Sequence, residues 1–195
     1  KELLFSLGEK PELRYSKPKK ALKALGYETM TDYLQDMCEL VLEETHLLPH
    51  VNAGTLSQYE LKKLKNVSAS MGMMLETTSK RLNKKGEAHY ACPDKVPIQR
   101  IRTLIASGIC KVPFTTGILI GIGETFEERV EALLLIEKIN NTNGHIQEVI
   151  IQNFQRKPDI SMSEHPEPTL NEMLLTIALA RIILLSLIHI SEPTR

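Results

Sequence analysis

Five short, nearly continuous apolar runs punctuate the chain, each bounded by turn residues: Glu2–Leu7, Leu47–Ala53, Val67–Leu75, Val112–Gly121 and Ile146–Phe154. Continuous runs, as opposed to alternating ones, predict strands covered on both faces. Between them apolar residues recur every three to four positions. Tyr33, Leu34, Met37, Leu40 and Val41 form one such stripe, and Phe126, Val130, Leu133, Leu134 and Ile139 another. These are helical faces. Three helix starts carry the Ser/Thr-x-x-Glu capping box, at Ser57…Glu60, Thr125…Glu128 and Thr169…Glu172; each box satisfies two otherwise orphaned amides. A polar "NNTNG" segment ending in Gly144 stops the helix that Thr125 opens. The predicted order is β-α-β-α-β-α-β-α-β-α, which implies parallel strands and right-handed crossovers. Five strands are too few for a closed eight-stranded barrel. The expected fold is therefore α/β, a partial open barrel in preference to a complete doubly wound sheet. The chain starts at Lys1 and runs straight into its first strand, so a missing front is expected.

Composition narrows the classes. The 195 residues include 24 basic and 24 acidic side chains, so no charge excess points to nucleic acid or an anionic membrane. Tryptophan is absent and aromatics make up 5%, which argues against base-stacking platforms. Cys38, Cys92 and Cys110 are odd in number and widely spaced. That pattern fits neither a disulfide framework nor a zinc site and predicts a reducing, cytoplasmic setting. Cys38 falls on a helical apolar position and Cys110 at a strand start, both read as buried small hydrophobes. The apolar stretch Thr176–Ile190 is broken by Arg181 and too short to span a bilayer. The terminal "LLSLIHISEPTR" breaks the rhythm of the helix before it. Residues 1–184 are expected to form the domain, and 185–195 a non-native tail, with a genuine helix end as the alternative.

Candidate chemistry gathers at strand ends. In "GILIGIGET" (Gly117–Thr125) an apolar strand ends in glycines before a capped helix. Phe126 stands where a dinucleotide fingerprint needs its third glycine, and a P-loop would need a lysine that is not there. Glycine at such a tip either makes a tight turn or lets a ligand approach the backbone. Glu76 in "LETTS" ends the third strand, Glu9 in "LGEKPE" follows the first, His50 and Asn52 end the second, and Gln152 and Asn153 the fifth. Taken singly, each reads first as a solvated or satisfied loop residue. Arg100 and Arg102 lie two positions apart, on different faces of one helix. Together these groups crowd one rim of a parallel barrel, where barrel active sites are built.

These residues carry a resemblance. "GILIGIGE" resembles the GxIxGxxE strand of the radical S-adenosylmethionine (SAM) enzymes, with Leu119 at the isoleucine position. "LGEKPE" resembles their strand-end glycine–glutamate motif, with Leu7 where the first glycine often lies. "MLETTSKRL", "IRTLIASGI", "PFTTGILIGIGET" and "GHIQEVIIQNFQRKP" are similar to the CofG branch of the FO synthase family, from about Glu2 to Leu184. The resemblance implies a TIM-like (β/α)6 barrel of which this chain carries strands two to six. It implies SAM and a [4Fe–4S] cluster as cofactors. The CxxxCxxC ligands of that cluster are absent from the chain, so no metal ligand is expected here. Arg100 is implied on the SAM carboxylate, Glu76 on its ammonium or ribose diol, and Glu9 with the Gly8 backbone near the amine. Gly121 and Ile122 are implied against the adenine, where a side chain on residue 121 would strike the ring. Gln152 is placed with the cofactor and Asn153 with the substrate, both by position. His50 and Asn52 are implied at the uracil or ribityl groups of a small-molecule substrate. The implied activity is the lyase step of FO (deazaflavin chromophore) biosynthesis: a radical on a tyrosine/5-amino-6-ribitylaminouracil adduct, then ring closure with ammonia loss. A CofH-type enzyme or its product is the implied partner. A sister enzyme such as CofH, or a cluster-free binding fragment, are the alternatives, and no catalytic residue is assigned.

Overall fold

The computed structural model describes residues 1–185. Five strands form one parallel sheet: β1 (Glu2–Ser6), β2 (Leu48–Asn52), β3 (Ser70–Gly72), β4 (Phe114–Ile120) and β5 (Ile146–Asn153). Their spatial order is their chain order, β1-β2-β3-β4-β5. A sheet that never reverses winds in one sense, as a barrel does and a doubly wound sheet does not. Six α-helices accompany it: α1 (Ser16–Ala24), α2 (Met30–Glu44), α3 (Gln58–Lys65), α4 (Pro97–Ile109), α5 (Phe126–Asn143) and α6 (Leu170–Ile183). One hydrophobic core joins α2 through α6 to the sheet, with Cys38, Leu61, Leu104, Leu133 and Ala180 packed against Val51, Met71, Phe114, Ile118 and Ile151. These helices therefore cover a single face. The period of two along a strand turns the other residues to the opposite, concave face. Phe114, Thr116, Ile118 and Ile120 are fully buried toward the helices, whereas Thr115 and Ile150 line a lumen cavity of about 250 Å³ with His50, Asn52, Gly72 and Glu148.

All three predicted capping boxes are present with both reciprocal hydrogen bonds. Gly144 ends α5 in the left-handed conformation at φ 61°. Three details differ from the sequence pattern. The third strand is confined to Ser70–Gly72; beyond it the Met73 amide donates to the Thr115 carbonyl, and Glu76 rejoins the sheet through a bridge to Ile118. Glu76 adopts φ 66°, a left-handed turn that a continuous strand does not tolerate. Two helices instead of one connect β1 to β2, because the lysine-rich α1 has too few apolar positions to show a stripe. Cys110 caps the end of α4 instead of starting β4, with its amide bonded to the Ala106 carbonyl. Of the expected tail only Leu185 is described; residues 186–195 lie outside the described residues. No described helix is long and apolar enough to cross a membrane.

Candidate functional site

The loops at the carboxyl ends of β1, β2 and β3 converge on one guanidinium. Arg100 lies in the first turn of α4 and is 4% exposed, while Arg102 faces solvent. Two residues are about 200° of helix, so packing one inward must turn the other out. The Arg100 Nε donates to the Asp94 carbonyl at 3.0 Å, and Nη1 donates to the Met74 carbonyl. Nη2 lies 3.4 Å from Glu9 Oε2 and 3.8 Å from Glu76 Oε1. Glu9 is held in turn by the Thr55 amide, which donates to Oε1 at 2.7 Å. A Cβ on Gly54, whose φ is 73°, would stand 2.4 Å from the Glu9 Cδ. The glycine thus makes room for the carboxylate against the turn after β2.

Glu76 is the second acid of the group. Its strained backbone is pinned by hydrogen bonds from its amide to the Gly117 carbonyl and from the Leu119 amide to its own carbonyl, both 3.0 Å. Residues held in this region persist only where surroundings over-determine them. The carboxylate receives His89 Nε2 at 3.0 Å, pairs with Lys95 Nζ, and faces Arg100. Burial alone would raise its pKa, but the His89 hydrogen bond and the charges of Lys95 and Arg100 outweigh this and hold it at about 2. A group depressed from 4.5 stabilises the fold fully above its unfolded value. That contribution is lost as pH falls from about 4.5 through about 2. Glu76→Gln is expected to flatten this part of the acid-unfolding curve measured by circular dichroism; an unchanged curve would remove Glu76 from the ion cluster.

Around these groups lies a cavity of about 360 Å³, bordered by Glu9, Asn52, Met74, Glu76, Lys95 and Arg100. Asn52 borders the lumen cavity as well, so the two chambers adjoin. Cys92 separates the upper chamber from a larger one of about 770 Å³ beneath Ile122, Tyr90 and His165. Sequence reasoning did not find His89, Asp94 or Lys95. They sit in a loop with no periodicity, and only a charge opposite a buried acid would have marked them.

The glycine tip of β4 makes the tight turn that was one of its two sequence readings. Gly121 has φ 85°, and a Cβ there would lie 2.4 Å from the Pro168 Cδ. The Pro168 ring occupies the face that the missing side chain leaves. The turn wraps an anion: the Gly121 and Ile122 amides donate to the two Glu124 oxygens at 2.8 Å each. Arg129 Nε completes the site at 2.7 Å from Glu124 Oε1. Ile122 packs in a small separate cluster with Leu82 and Phe154. Gln152 is exposed, and Asn153 is half-buried with its Oδ1 unpartnered among the described residues. The structure thus brings Glu9, Asn52, Glu76 and Arg100 around one chamber, sets His50 in the lumen beneath, and leaves Gln152 outside both linings.

Donor chemistry tests the cofactors that the resemblance implies. Cys38 and Cys110 are buried on core elements and Cys92 stands apart. No three His, Cys, Asp or Glu side chains among the described residues are placed to hold a metal. The described residues do not fit an iron–sulfur cluster. They do fit an amino-acid headgroup, since two acceptor-only carboxylates and a guanidinium fork share one chamber.

No protein-family model matches the chain. It is 48% identical over 184 residues to the 7,8-didemethyl-8-hydroxy-5-deazariboflavin synthase of Methanopyrus kandleri, covering 94% of the chain and 55% of that protein. It is 47% identical over 194 residues to the FO synthase of Mycobacterium tuberculosis, covering 99% of the chain and 23% of that protein. The chain thus spans about half the length of the first relative and under a quarter of the second. In fold it is similar to the FeFe-hydrogenase maturase HydG of Carboxydothermus hydrogenoformans, with a TM-score of 0.75 at 16% identity, over 100% of this chain and 42% of that one. SuiB of Streptococcus suis, solved bound to S-adenosylmethionine, matches at TM-score 0.56 and 10% identity over 83% of this chain and 36% of that one.

Proposed function

We propose, from its likeness to the FO synthases and from the parallel barrel it shares with HydG and SuiB, that this chain belongs to a radical SAM enzyme of FO biosynthesis and acts at the ring-closing, ammonia-releasing step. The observation that carries the reading is the convergence of Glu9, Glu76 and Arg100 on one buried chamber at the strand ends. Arg100 would hold the SAM carboxylate, its planar fork matching two oxygens. Glu9 and Glu76 would accept hydrogen bonds from the ammonium and ribose hydroxyls. SAM, when bound at a reduced cluster, supplies the hydrogen-abstracting chemistry. The described residues hold no cluster ligands, so the role proposed for this chain is to bind, orient and shield, and no electron-transfer step is derived. A small-molecule adduct of tyrosine and 5-amino-6-ribitylaminouracil, delivered by a CofH-type partner, is the proposed substrate.

Titration calorimetry of SAM against the chain tests the binding role, with Glu76→Gln expected to weaken affinity about tenfold or more. An equal affinity would remove Glu76 from the SAM site. In the whole enzyme, turnover of the adduct but not of free tyrosine is expected; the reverse would assign the sister activity. Anaerobic iron and sulfide reconstitution is expected to leave the chain well short of the about four irons of a [4Fe–4S] cluster. A full complement would overturn the division of roles.

A further inference from the structure

The lumen holds a polar pair to which the SAM site gives no role. His50 projects from β2 on the same face as Asn52, and its Nδ1 lies 2.7 Å from the Oγ of Ser70 on β3. Ser70 is 4% exposed, and its hydroxyl has no other partner among the described residues. Were the ring proton on Nδ1, the Ser70 O–H would be a buried donor with nothing to receive it, an arrangement folded proteins avoid. With the Ser70 O–H donating to Nδ1, the buried hydroxyl is satisfied and the ring proton sits on Nε2, free to donate into the chamber. That atom faces the opening left by Gly72, where a Cβ would stand 3.0 Å from it. Burial lowers the His50 pKa, and the carboxylates of Glu2 on β1 and Glu148 on β5 offset this only in part. Those two acids reach the same chamber, whose walls include the apolar Leu4 and Ile150.

We propose that His50 is a specificity-determining donor of the substrate chamber: a neutral imidazole whose Nε2–H donates to a ligand carbonyl oxygen, with Glu148 accepting from a neighbouring N–H. A flat ring carrying adjacent carbonyl and N–H groups, a cyclic imide or ureide, meets both and lies between the apolar walls. Asn52, shared with the chamber above, sets the ring next to the Glu9–Glu76–Arg100 group. That the ring belongs to the substrate rests on the reading under Proposed function; the protonation state of His50 does not.

Two measurements on the full chain test this. In nitrogen NMR of isotope-labelled histidine at neutral pH, His50, assigned by its loss in His50→Phe, is expected as a neutral ring protonated at Nε2. Ser70→Ala is expected to spread the proton over both nitrogens. An imidazolium, or a ring protonated at Nδ1, overturns the inference. In calorimetry with 5-amino-6-ribitylaminouracil, the double variant His50→Phe/Ser70→Ala, which removes both partners and strands neither, is expected to bind about tenfold more weakly with SAM affinity unchanged. Equal affinity for the uracil overturns the inference. So does absence of uracil binding by the unmodified chain while SAM still binds. Loss of SAM binding instead counts against the SAM reading, and the NMR result still decides His50.

Discussion

Arg100→Ala is expected to destabilise the chain by about 3–5 kcal/mol, the scale for breaking a buried charge network from one side. The guanidinium is 4% exposed and meets Glu9, Glu76 and the carbonyls of Met74 and Asp94. Alanine would leave the half-buried Glu9 and the buried Glu76 without their shared cation, and two carbonyls without donors. Urea unfolding monitored by circular dichroism measures the loss. Arg102→Ala, on the solvent side, is expected to stay within about 0.5 kcal/mol. Losing Arg100 also removes one of the charges that depress Glu76, so acid unfolding is expected to begin at higher pH. SAM affinity should fall far more for Arg100→Ala than for Arg102→Ala. Equal losses in stability or affinity would show that Arg100 is not the inward-facing arginine of the pair.

Glu124→Ala is the second large effect. The Glu124 side chain is 2% exposed and receives the Gly121 amide, the Ile122 amide and Arg129. Arg129 is itself buried, with Thr176 Oγ1 at 3.4 Å and Glu172 Oε1 at 3.5 Å as its remaining partners. Removing the carboxylate leaves the buried cation with only those two longer contacts and strips two amides of their acceptor, again about 3–5 kcal/mol. For a chain of this size that lowers the melting temperature by about 10 °C or more. The pair Glu124→Ala/Arg129→Met is expected to recover part of the loss, since the second change removes the stranded charge. A double variant as unstable as the sum of the two singles would show that the ion pair does not couple the β4 tip to α6. The turn that carries "GIGE" would then owe its shape to Pro168 and the glycines alone.

Much of this was legible locally. Ser57…Glu60, Thr125…Glu128 and Thr169…Glu172 each close a ring of hydrogen bonds within four residues, so the letters alone locate three helix starts. Continuous apolar runs separated by helical stripes gave the parallel order of the sheet. The third run misled because Val67–Leu75 is apolar for two reasons: Ser70–Gly72 pairs as a strand, while Met73 and Leu75 are buried in the core without extending it. The cap of α2, where Thr29 accepts from the Asp32 amide, escaped notice because aspartate replaces the glutamate of the box.

The sequence alone determined that acids, amides and an arginine stand at the ends of parallel strands, because strand, turn and cap are set by neighbours a few residues apart. Only the tertiary structure decided which of them meet. The spacing of Arg100 and Arg102 puts them on different sides of a helix, and the packing of α4 against the sheet chooses Arg100. Its partner Glu9 lies 91 positions away, and His89 and Lys95 reach Glu76 from a loop without periodicity. Pairings of that kind leave no local trace, since the low dielectric that makes them strong exists only once sheet and helices have packed around them. The same holds at Gly121, where the letters mark a residue that must lack a side chain and the folded chain supplies the reason, the ring of Pro168.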